Sequence, residues 1–234
     1  MIEINDTQLK NYFTKKIDKD IALVLLPKNQ DALTIAKQFV LNAMDSGVKQ
    51  IIKIGSLGPW RLMHRQFDSF ITESGIPYTS FDIAPLMSHI FIEQYKDKVL
   101  YDYRHNAPAP YLDPRCLVQA IEQASGNKVH YNKNYKCTGT KQYTITDIKS
   151  VLDKTNNPVE KIENTHNNKI HKMTADNQDF TMMSRLADKY KKGWYPPITT
   201  DLQANFGLSG RTFEQFVLQD QDVYSVSHDA DRYL

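Results

Sequence analysis

The residues from Asp20 to Leu26, DIALVLL, form an unbroken apolar run that stops at Pro27. A shorter run covers Ile51 to Ile54, interrupted only by Lys53, and leads into Gly55-Ser56-Leu57-Gly58-Pro59. A third begins at Ile76 and continues to Phe81. Runs that are apolar on both faces fit strands buried between two layers of helices. Between the first two, Leu33, Ala36, Phe39, Val40 and Ala43 recur at helical spacing, and Gly47 comes where a helix C-cap belongs. Arg61 to Ser74 repeats the layout, with Leu62, Phe67, Phe70 and Ile71 on one stripe and Gly75 behind it. Strand, helix, strand, helix, strand predicts consecutive βαβ units around a parallel sheet.

The second half is less regular. Lys98 to Tyr103 and Lys128 to Tyr131 predict short strands. Asp113 to Gln123 predicts a helix, with Asp113 as N-cap and Pro114 at its first position. Thr146 to Asp153 predicts another, with Thr146 as the cap. Asn156 to Gln178 is polar and poor in aliphatic residues, which predicts a loop or a marginal helix. Met182 to Tyr190, Asp201 to Leu208 and Thr212 to Leu218 read as helical.

Composition narrows the functional classes. Lys plus Arg is 29 and Asp plus Glu is 27 in 234 residues, a net charge of +2, which argues against a strongly basic nucleic-acid binder. Lys189, Lys191 and Lys192 beside Trp194 and Tyr195 read as a solvated helix end. No run approaches the roughly 18 apolar residues of a membrane span, and MIEINDTQLK lacks the layout of a signal peptide. Cys116 and Cys137 are the only cysteines and form no CxxC, so two reduced thiols in a cytoplasmic protein are expected, without a zinc site. His89 and His105 have no ligand-spaced partners, and no metal is expected. None of the nine glycines falls into GxGxxG, GxxGxxG or GxxxxGK[ST], so the usual phosphate-cradling loops are absent from this sequence.

Several stretches, in order, resemble the NmrA-like family of atypical short-chain dehydrogenases/reductases. They are Gly47-Val48-Lys49, Ile54-Gly55-Ser56-Leu57-Gly58-Pro59, Glu73-Ser74-Gly75-Ile76-Pro77-Tyr78-Thr79, Tyr111-Leu112-Asp113-Pro114-Arg115 and Thr212-Phe213-Glu214-Gln215-Phe216. The resemblance implies a Rossmann-like domain that usually binds NADP(H), plus a small C-terminal substrate lobe. Some members of the family are reductases and others are cofactor-reading regulators without catalysis. It also marks departures. Residues 1–19 resemble the stretch that comes after the family's first two strands and glycine-rich turn, and the family's Arg-Pro-Gly after the third run reads Asp82-Ile83-Ala84. The expected architecture is therefore α/β: an incomplete Rossmann-like parallel sheet flanked by helices, with a small C-terminal α+β lobe. Residues 1–110 would form the truncated Rossmann-like portion, and 111–234 a mixed region holding the lobe and the returning helices.

Candidate chemistry centres on Ser56, His64 and Asp68. Ser56 ends a buried strand, where α/β proteins place ligand-facing groups. His64 and Asp68 lie four apart on the next helix and share a face. In the resemblance they occupy the positions of the proton-donating tyrosine and its lysine helper. An imidazole oriented by a carboxylate can move a proton near neutrality; the alternative is that His64 packs locally and Asp68 is solvated. Trp60, Met63, Met87 and Phe91 line an apolar substrate pocket or are simply core. Asp113-Pro114-Arg115 reads as a helix start that ties the two lobes together.

The strand at residues 21–26 would lie at the edge of such a sheet. It is long, apolar on both faces and free of internal proline or lysine, a poor edge unless something covers it. The candidates are MIEIN folding back, a second copy in a homo-oligomer, or a partner in a hetero-complex. These readings predict a small-molecule- or partner-binding protein that has lost ordinary NADP-dependent reduction, with no cofactor on the isolated chain. The alternatives are a cofactor-independent isomerase or cyclase using Ser56, His64 and Asp68, and an NAD(P)H-dependent reductase whose nucleotide site is completed by another chain.

Overall fold

Alternation of buried runs and amphipathic stretches produces the predicted βαβ order. The computed structural model describes residues 20–25, 32–57, 61–91, 95–96, 98–102, 104–155, 158–164, 188–189, 192–193 and 195–219. Strand β1 is Ile21–Leu25, helix α1 is Ala32–Asp45, β2 is Gln50–Ser56, α2 is Arg61–Glu73 and β3 is Tyr78–Ile83. Helix α1 turns Phe39, Val40 and Ala43 inward, and Gly47, at φ 67°, reverses the chain after it. Helix α3, Pro114–Ala124, and strand β6, Lys133–Cys137, complete the main unit.

The sheet has the order β1-β2-β3-β6, and all three pairings are parallel. Successive side chains point to opposite faces, so two cores form. On one face Val24 and Ile51 pack with Phe39, Val40, Phe67 and Ile71 of α1 and α2. On the other, Ile52, Ile54, Phe81, Tyr135 and Cys137 pack with Leu117, Ala120 and Ile121 of α3. At the amino ends, the fully buried Gln50 donates to Thr79 Oγ1 at 2.9 Å and to the Ala124 carbonyl at 3.1 Å. It also accepts from the Gly126 amide at 2.7 Å, which fixes the exit of α3 beneath the sheet.

A second sheet has the order β4-β5-β7, from Tyr95–Lys96, Val99–Asp102 and Lys161–Asn164. With α4, Ile145–Leu152, and α6, Phe213–Gln219, it builds the other lobe. The core of that lobe includes Met87, Ile90, Leu100, Tyr143, Ile148, Phe213 and Phe216. Helix α5, Asp201–Phe206, returns to the main sheet, where Phe206 joins the α3-side core.

Three sequence expectations change. Lys128–His130 is a 3₁₀ turn rather than a strand, opened by Asn127, and the strand lies five residues later at Lys133–Cys137. Helix α4 is capped by Thr144, not Thr146: Thr144 and Asp147 form a reciprocal capping box. The polar stretch after Asn156 contains a strand, β7, which pairs in parallel with β5. Its burial is slight, so no apolar alternation announces it. Most of Met182 to Tyr190, and the MIEIN segment proposed to cover β1, lie outside the described residues. Among the described residues no helix is long and apolar enough to cross a membrane.

Candidate functional site

The carboxyl ends of β2, β3 and β6 lie side by side, because the register pairs Ser56 with Ile83 and Ile83 with Cys137. The Leu57 amide donates to the Ile83 carbonyl at 2.9 Å, and the Ala84 amide to the Cys137 carbonyl at 2.8 Å. By the alternation of side chains, Ser56 continues the Ile52–Ile54 row on the α3 face. Gly55, Asp82 and Lys136 form the matching row on the α2 face.

The α2 face of the main sheet departs from an apolar core. Lys53 has a side chain with 0% exposure, one residue short of the end of an otherwise aliphatic run. Its ammonium is bound by the Asp68 carboxylate of α2 and lies 3.8 Å from Asp82 Oδ1. The Asp82 side chain is 4% exposed and that of Asp68 30%. A lysine at this depth requires a carboxylate partner, and here it draws one from the helix and one from the next strand. Ser80, paired with Lys53 in the register, is also buried, and its hydroxyl has no hydrogen-bond partner among the described residues.

Asp68 is therefore not simply solvated: it is the α2 end of an ion pair with a buried lysine. Ser56 and Asp68 attach to opposite faces of the sheet and are not brought together. Met63 and His64 lie in the first turns of α2, and Trp60 falls outside the described residues. Met87 is fully buried in the core of the second lobe. Phe91 packs on that core, its ring stacked 6.2 Å from Phe213. Lys53 was visible in the sequence as the single charge in an apolar run. Nothing local named its partners, because they come from residues 15 and 29 positions away.

At the α3 edge of the strand ends, the Asp113 carboxylate accepts from the Arg115 amide at 3.0 Å and caps α3. The Arg211 guanidinium binds both oxygens of the same carboxylate, at 2.6 and 3.1 Å. Arg211 lies between α5 and α6, so the pair holds the start of α3 to that segment. Burial, and then the Asp113 charge, push the Cys116 thiol up. Burial, with Asp201 and Asp82 adding to it, does the same to Cys137. Both thiols are therefore held in the protonated, weakly nucleophilic form. Among the described residues no group of His, Cys, Asp and Glu is arranged to hold a metal ion.

No family model and no curated protein matches the sequence. Solved structures do. An NADPH-dependent quinone oxidoreductase from Escherichia coli, complexed with NADPH, superposes with a TM-score of 0.70 at 15% identity, over 94% of this chain and 82% of its own. Triphenylmethane reductase from Citrobacter sp., complexed with NADP(H), gives 0.67 at 16% identity over 91% and 80%. A mutant of NmrA itself gives 0.63 at 10% identity over 90% and 76%.

The fold is NmrA-like. Within it, Lys53 pairs with Asp68 and Asp82 beneath the strand ends, and Asp113 pairs with Arg211 at the start of α3.

Proposed function

We propose that the chain uses its NmrA-like fold to bind a small molecule or a partner protein, and that it does not perform ordinary NADP-dependent reduction. The observation that carries this reading is Asp82. Where the resemblance places an arginine, β3 ends in a buried carboxylate held against Lys53. A diphosphate is bound by unpaired N–H groups at a helix start or by cations. The start of α3 does not fit one. Helix α3 starts with Asp113 on the Arg115 amide and with Pro114, which has no N–H. Arg211 is bidentate on Asp113. NADP(H) is a property of the solved neighbours and does not carry over through these residues.

NADPH titration by fluorescence and calorimetry tests this. No saturable binding is expected from the chain by itself, and micromolar affinity overturns the reading. Binding only in a complex with a second protein would instead identify a reductase whose site another chain completes.

A partner is supported by a separate observation. Strand β1 ends the described sheet order, and Ile21 and Leu23 are only partly buried against the core. An apolar edge of this kind pairs with another chain unless it is blocked. Light scattering on the purified protein is expected to show a mass above that of one chain. A monodisperse monomer that leaves β1 exchanging its outer amides freely removes the partner half of the proposal. The two free thiols, Cys116 and Cys137, suit a cytoplasmic setting.

A further inference from the structure

We infer that strand β1 pairs with β1 of a second copy of this chain, antiparallel and centred on Leu23; this rests on the partner reading above and specifies the partner. The Asp20 carbonyl accepts from the Lys49 amide at 2.8 Å and from the Gln50 amide at 3.3 Å, and the parallel register continues with Ile21 opposite Gln50. In a parallel ladder, alternate residues direct both backbone groups to the same neighbour. Asp20, Ala22 and Val24 therefore turn theirs to β2, and Ile21, Leu23 and Leu25 turn theirs away from it. The far side of β2 follows the same alternation, since its Ile51 amide donates to the Pro77 carbonyl at 2.9 Å. Among the described residues no strand lies beyond β1.

An outward row of donors and acceptors is a template for another strand, and this row is complementary to itself. A two-fold axis normal to the sheet, the commonest symmetry of homo-oligomers, sets two β1 edges antiparallel and keeps the α3-side face on one side of both copies. With Leu23 opposite Leu23, Ile21 falls opposite Leu25. Each outward residue then exchanges both backbone bonds with another outward residue. Any other centre shortens the ladder or sets outward residues against inward ones. Ile21 and Leu23 are only partly buried against the α3-side core, and in this arrangement the two half-covered rows meet and gain apolar burial. A symmetric edge brings like charges together, but β1 carries none, and the adjacent Asp20 is paired with Lys49 of its own chain.

Sedimentation velocity of the full chain over a concentration series is expected to show a monomer–dimer equilibrium. Leu23→Pro removes an outward N–H and leaves the β2 ladder intact, as edge strands allow. Leu23→Lys brings two like charges together at the symmetry axis. Each variant, with the parent's far-UV circular dichroism as the check on folding, should raise the dimer dissociation constant at least about tenfold. Opposed α-carbons in such a pair lie about 5.5 Å apart, within the range a disulfide spans. Leu23→Cys treated with oxidised glutathione should therefore give a covalent dimer, whereas Leu41→Cys, exposed on α1, should not. A monomer at every concentration, a dimer left intact by the folded Leu23→Pro and Leu23→Lys variants, or equal cross-linking of Leu23→Cys and Leu41→Cys each overturns the inference. Copurification of a different protein that protects the outer β1 amides from exchange would overturn the second copy while sparing the partner reading.

Discussion

Replacing Lys53 with methionine keeps most of the side-chain volume and removes only the ammonium. Two carboxylates then lose their shared cation. Asp82, 4% exposed, is the costly one; Asp68, 30% exposed, can recruit water. At 3.8 Å, with an effective dielectric constant of about 20, the Lys53–Asp82 attraction is about 4 kcal/mol. That agrees with the roughly 3–5 kcal/mol observed when one member of a buried pair is deleted. Against a typical domain stability of about 5–15 kcal/mol, the single variant should be near the limit of folding. Its thermal midpoint should fall by roughly 10 °C, taking about 2–4 °C per kcal/mol for a chain of this size. Urea unfolding, followed by far-UV circular dichroism, measures the change directly. The triple variant Lys53→Met, Asp68→Leu, Asp82→Leu removes every charge together and should recover most of the loss, because apolar replacements of a whole buried ion network are often neutral or better. If Lys53→Met alone stays within about 1 kcal/mol of the parent protein, the ammonium is not what compensates Asp82, and the account of this cluster is wrong.

Three further outcomes concern single positions. Gly139→Ala should prevent folding or cost several kcal/mol, since the added Cβ would sit 2.0 Å from the Tyr111 carbonyl oxygen; soluble yield and thermal midpoint read it. Asp113→Ala removes both the α3 cap and the Arg211 partner and should cost about 2–4 kcal/mol in urea unfolding, with Asp113→Asn recovering the cap portion only. Burial alone would raise the pKa of Glu214, but hydrogen bonds led by that from Tyr143 hold it at about 2. Its folded value is below the ordinary 4.5, so its contribution is complete above that value and disappears as pH falls toward 2. Glu214→Gln should therefore flatten the stability-versus-pH curve between pH 4.5 and 2, and an unchanged acid limb would refute the assignment.

The sequence by itself determined the first three strands of the main sheet and the helices between them. DIALVLL and the run ending at Ile54, with helical stripes between them, permit little besides parallel strands under helices, because a strand covered on both faces must be apolar at every position. Asp113-Pro114 likewise marked a helix start that the structure keeps, since capping is decided within a few residues. Where local signals were weak, the sequence reading slipped. Lys133–Cys137 alternates lysine and asparagine with Tyr135 and Cys137, and only its position beside β3 makes it a strand. Lys161–Asn164 exists because β5 offers it a ladder.

The tertiary structure alone decided the fate of the charges. Asp68 looked available on a helix face, and Lys53 looked like an interruption. They are partners because α2 folds back over β2, and a buried ammonium is tolerated only where the chain brings a carboxylate to it. Helical spacing fixes which residues share a face. Which face meets which strand, and hence which charges neutralise one another, is set by contacts between residues far apart in the chain, and no local pattern records them.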